Sequence, residues 1–204
     1  MSDGLPPTEE LAKWRRETVA MEGVAAREWP ADPRTNMSAH WWSIPPHEFE
    51  LDEQCPVGLA LVEDRSDWER ADCADIVVPD GLDVLEIWGP EDWAALCRRY
   101  PLPVTASKKH DWFRTTGRYD VEWVMPDWQA VAEANDVVHL PVVGWLRTAG
   151  IAVPGADGVA SVLAGWDPDA AFWLTSCPAH VGQPVEWVFA DDFDDRSLRV
   201  RPER

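Results

Sequence analysis

The chain has 204 residues, 46% of them hydrophobic, and carries 37 acidic against 18 basic side chains for a formal charge of −19 at pH 7. That length suits one domain with a sizeable core, and so negative a field argues against phosphate backbones and anionic membranes and for basic protein partners. No run approaches the roughly 20 apolar residues of a membrane span. The opening MSDGLPPTEELAKW lacks a signal peptide's apolar stretch, and Cys55, Cys73, Cys97 and Cys177 lie far apart with no C-x-x-C pair, so a cytoplasmic protein with reduced thiols is expected.

The spacing predicts a helix from Thr8 to Glu28, with Glu9 and Glu10 at its positive end and Pro30 stopping it. With the ADPRTNM linker it makes an N-terminal helical arm over 1–37, ahead of a single domain over 38–190 and a polar tail over 191–204. VGLALVE (57–63) reads as a strand, SDWERA as a short helix with Ser66 and Glu69 in capping-box register, and LDVLEIW (82–88) as an alternating strand. GPEDWAALCRRY places Pro90 at the first helical position, acids in the first turn and arginines in the last, which predicts a helix. Residues 101–119, including ASKKHDWFR, read as a long irregular segment.

MPDWQAVAEAND then reads as a helix opened by Pro126 and Asp127, running into the strand VVHLPVV (137–143). GVASVLAGW, AAFWLTS and VEWVF (185–189) read as three further strands. Helices and strands do not alternate regularly, so the fold class is α+β, with a mixed or antiparallel split sheet and flanking helices. Most of the fourteen tryptophans are expected in the core, because each carries a large apolar area and one N–H that needs a partner.

Several chemistries are absent as motifs. There is no G-x-x-x-x-G-K-[ST], no G-x-G-x-x-G, no H-E-x-x-H and no G-x-S-x-G, and no metal ligand set accompanies the His47–Glu48 pair. Three stretches remain. SAHWWS offers His40 and Ser43 beside Trp41 and Trp42, which face opposite ways on an extended segment, a wall suited to a nucleotide or nicotinamide. ASKKHDWFR gathers Lys108, Lys109 and Arg114 around Trp112, a pattern that binds an anionic group while an aromatic holds its neighbour. GWDPDAAFWL presents Asp167 and Asp169 at the start of a strand, although an Asp-Pro turn is the commoner use of such a triplet.

In their order HWWS, SDWERA, DVLEI, PEDWAALCRRY, PDWQAVAEANDVVHL and GWDPDAAFWL resemble a family of uncharacterised proteins from actinobacteria and their phages, over about residues 40–175. That family distantly resembles the ADP-ribosyltransferase fold, a split sheet that binds NAD in a central cleft. The resemblance implies a phage-encoded, NAD-binding, ADP-ribosyltransferase-like protein that acts on a host target, with Asp169 in the closing motif where those enzymes carry Glu and Ala170 or Ala171 where the family carries Ser. It implies catalytic roles for His40, Asp167 and Asp169. Trp42, Ser43, Lys108, Lys109, Trp112 and Arg114 would then hold NAD, with no metal. The alternative is an acidic protein without chemistry that sequesters a basic host factor or mimics nucleic acid. Residues 51–100 carry 13 acids against 4 bases, and Glu63, Asp64, Asp67, Glu69, Asp72 and Asp75 fall close together.

Overall fold

A computed structural model describes residues 7–46, 50–52, 70–156, 158–175, 179–189 and 198–200. The described strands form three sheets. In the first, β1 (Glu50–Asp52), β9 (Ala170–Trp173), β6 (Val137–Leu140) and β3 (Val84–Glu86) lie side by side in that order. β9 is antiparallel to both its neighbours, and β3 runs parallel to β6. In the second, β4 (Pro101–Pro103), β5 (Glu122–Pro126), β8 (Val159–Val162) and β7 (Ala152–Pro154) are adjacent. The third joins β2 (Arg70–Val77) to the long β10 (Ala179–Phe189) and to β11 (Leu198–Val200). The mixed α+β class expected from the sequence is what is found.

Helix α1 (Pro7–Glu28) buries Leu11 and Ala25, and its Trp14 packs against the cores behind both four-stranded sheets. Helix α2 (Pro90–Arg99) follows its sequence signals, with Glu91 and Asp92 in the first turn and Arg98 and Arg99 in the last. Trp93, Trp112, Trp123, Trp128 and Trp166 are fully buried, and their rings meet edge-on or tilted. Trp42 and Trp88 stay exposed.

Five expectations are corrected. Residues 105–116 are not irregular but form α3 (Thr105–Thr116). Its first N–H groups find no acceptor on their own side chains. Instead the Glu22 carboxylate of α1 accepts from the N–H groups of Ala106 and Ser107 at 2.7 and 2.8 Å, a cap supplied from a distant part of the chain. The apolar run 137–143 is also not one strand. After β6 and the short α4 (Trp128–Val131) before it, helix α5 (Val142–Thr148) begins at once. Gly144 lets α5 approach β3, since a Cβ there would lie 2.0 Å from the Ile87 carbonyl oxygen. Arg70 and Ala71, expected at the end of a short helix, begin β2, and Leu198–Val200, expected in a polar tail, pair with β10. Finally, Cys73 is in a disulfide, against the reduced thiols expected from spacing. A disulfide depends on Cα atoms brought within about 7 Å by the fold, which spacing along the chain does not reveal. Cys97 is free and buried.

The strand expected over 57–63, residues Ser66–Glu69 of the short helix, and the His47–Glu48 pair lie outside the described residues. Among the described helices none is long and apolar enough to cross a membrane.

Candidate functional site

The residues singled out in the sequence separate into two groups on different supports. The first group ties residues 38–43 to α3. Lys108 is buried, and its ammonium donates to the carbonyl oxygens of His40 at 3.0 Å and Trp42 at 2.6 Å. The Asp111 carboxylate accepts from the Ser38 hydroxyl at 2.6 Å and from the His40 N–H at 2.8 Å. Trp112 donates its indole N–H to the Trp41 carbonyl at 2.8 Å. Ser43 is fully buried, and its hydroxyl accepts the Ala164 N–H at 2.9 Å.

Apart from the Ser38 hydroxyl and the Ala164 N–H, these partners are backbone groups of residues 40–42, which pair with no strand among the described residues, so the side chains act as their ladder. Burial pulls the Lys108 ammonium down to about 8, against the opposing pull of Asp111 and Glu22. Burial and the Lys108 charge also lower His40, whose ring tilts against Trp29 with centroids 5.5 Å apart. Ser43, Lys108 and Trp112 thus commit their polar atoms to the fold and do not present a cofactor wall. Lys109 is half-buried, and exposed Arg114 donates to the Asn36 carbonyl at 2.9 Å. Of the expected cofactor residues, Trp42 keeps the largest open apolar surface, at 45% exposure.

The second group forms across the first sheet. The parallel register of β3 and β6 sets Glu86 beside His139, and the Glu86 carboxylate lies 2.9 Å from His139 Nδ1. On the other side of the ring, Asp169 Oδ1 lies 3.5 Å from Nε2. Asp169 ends the Asp167–Pro168–Asp169 turn just before β9. Its N–H donates to the Leu140 carbonyl at 2.9 Å, and its φ is 68°. A non-glycine residue held there is strained, and such strain gathers at functional positions.

Buried His139 with a carboxylate at each nitrogen can hold a proton at a defined atom, and part-exposed Asp169 can meet a ligand. Of the three, Asp169 is conspicuous in the sequence as an acid in an Asp-Pro-Asp turn, whereas His139 and Glu86 lie within apolar and alternating strands. The other two expected catalytic residues are not joined to this array: His40 is held by α3, and Asp167 is half-buried at the start of the turn that Asp169 ends. No group of three or more His, Cys, Asp or Glu suited to a metal occurs among the described residues.

No family model matches the chain, and no curated protein and no solved structure matches it.

Proposed function

We propose that the Glu86–His139–Asp169 array is the working centre of an ADP-ribosyltransferase-like enzyme that transfers ADP-ribose from NAD to a host acceptor. The observation that carries this reading is Asp169, whose N–H is held by the Leu140 carbonyl and whose carboxylate faces His139; the resemblance gives Asp169 or Asp167 the part of the closing acid. The buried, internally bonded Ser43, Lys108 and Trp112 give no support to NAD binding at the aromatic wall. The fit rests on Asp169 alone. NAD would supply the ADP-ribosyl group and, as nicotinamide, the leaving group. With NAD bound, the Asp169 carboxylate would be the group to stabilise positive charge developing at the reacting carbon. His139 holds or takes the acceptor's proton, and Glu86 fixes the ring orientation.

Nicotinamide release from NAD, followed for the wild type and Asp169→Asn, tests the reading. Asparagine tolerates the left-handed backbone, so melting is expected to stay unchanged while release falls about a hundredfold or more, roughly 2.7 kcal/mol of barrier. An intact wild type that neither releases nicotinamide nor shifts its melting with millimolar NAD overturns it.

A second reading rests on Asp72 and Asp75, which stand exposed on β2, an edge strand of the third sheet. Charges there also discourage edge-to-edge pairing. Recruitment of a basic host protein through this edge predicts a partner captured at low salt, lost at high salt, and lost on Asp72→Lys with Asp75→Lys. Glu63, Asp64, Asp67 and Glu69 lie outside the described residues.

A further inference from the structure

Away from the first sheet, α2 covers the second sheet incompletely. Between them lies a cavity of about 180 Å³, lined among others by Ala94, Cys97, Arg98, Val124, Val153 and Ala160. Its walls are apolar, and the few polar atoms at its base satisfy one another. Ser161 Oγ accepts the Trp93 indole N–H at 2.9 Å and lies 3.4 Å from Cys97 Sγ. Burial pushes the Cys97 thiol up to about 12, so it stays neutral and behaves as part of the apolar wall. An apolar cavity of roughly 150 Å³ is enough to take up benzene, so this one admits an occupant of about six or seven carbon atoms.

The rim supplies a charge. Arg98 lines the cavity, is exposed, and has no carboxylate partner among the described residues. A guanidinium recognises carboxylates by paired, charge-assisted hydrogen bonds. Apolar walls with one cation at the rim match a ligand with an apolar body and one anionic end.

We propose that this cavity binds a small monocarboxylate, a short aliphatic or single-ring acid, with the apolar end inward and the carboxylate on Arg98. The site is separate from Glu86, His139 and Asp169 and does not depend on the transferase reading.

Fluorine NMR titration with para-fluorobenzoate, its neutral amide, and hexanoate as competitor tests the assignment. The wild type is expected to bind the acid in preference to the amide and to release it to hexanoate. Arg98→Gln changes an exposed side chain, so it should leave melting unchanged and weaken the acid about tenfold, the loss of roughly 1.4 kcal/mol. Ala94→Leu fills the cavity and should abolish binding without lowering the melting temperature. Absence of binding at millimolar acid overturns the proposal. Equal binding of acid and amide, or an Arg98→Gln variant that binds the acid as the wild type does, overturns the anionic class. Undiminished binding to folded Ala94→Leu places the ligand elsewhere and overturns the site; if that variant does not fold, Arg98→Gln decides.

Discussion

Helix α3 and the β3–β6–β9 strands both bring titratable side chains together, and they use them in opposite ways. On α3, Lys108, Asp111 and Trp112 come from one short stretch and turn their polar atoms onto the backbone of residues 38–41 and Trp42. On the sheet, one residue each from β3, β6 and the turn before β9 face one another across strands. The first cluster is dense in sequence and closed in structure. The second is sparse in sequence and brings its side chains together across strands. A run rich in histidine, lysine and tryptophan attracts a functional reading, yet an extended segment without strand partners needs such a run to satisfy its own carbonyls and N–H groups.

The largest effect expected from breaking this contrast comes from Lys108→Met. It removes two charge-assisted bonds to the His40 and Trp42 carbonyls and should cost about 2 kcal/mol of stability. Chemical denaturation measures it, and turnover per folded molecule should stay unchanged. A loss of turnover with full stability would return Lys108 to the site. Ser43→Ala follows at about 1.5 kcal/mol, because it strands the buried N–H of Ala164. If it leaves stability untouched, the hydroxyl is not part of the ladder.

The sequence carried α2 and the strand cores legibly because their signals are local: Pro90, the first-turn acids and the last-turn arginines belong to the helix they start and stop. It hid α3 because the capping carboxylate is Glu22, on another helix. It hid α5 because Val142 and Val143 continue the apolar run of β6 while Pro141 begins the helix without a side-chain cap. For the site, Asp169 was visible as an acid in a turn. His139 was read only as part of an apolar strand, and Glu86 as one polar place in an alternating one. Their meeting depends on the register of β3 against β6, and no spacing along the chain contains that register.

The pH dependence of stability sharpens the contrast further. Lys108 loses its proton at about 8 in the folded chain against 10.5 ordinarily. Above about 8 the unfolded chain therefore binds more protons, and stability rises with pH. Cys97 works in the other direction, since its thiol keeps its proton to about 12 in the fold against 9.0 ordinarily, so stability falls as pH rises above 9.0. Between pH 8 and 9 the lysine outweighs the cysteine, and a gain of a little under about 1 kcal/mol is expected. Denaturation at the two pH values measures it. Lys108→Met should flatten the rise, and Cys97→Ala should flatten the fall beyond it. A rise that survives Lys108→Met assigns the effect to another group.

The smallest effect has the opposite sign to those at the ladder. Asp169 holds a φ of 68°, a conformation that costs a side-chain-bearing residue on the order of 1 kcal/mol and glycine much less. Asp169→Gly removes that strain, but it also adds freedom to the unfolded chain and loses the contact with His139. The net expectation is stability kept or raised by about 0.5 kcal/mol, together with loss of nicotinamide release. A ladder residue changed in the same spirit loses stability and keeps turnover, so the two clusters should move in opposite directions in paired denaturation and activity measurements. If Asp169→Gly destabilises the protein by as much as Ser43→Ala, Asp169 belongs with the structural residues, and the strained turn is a feature of the fold alone.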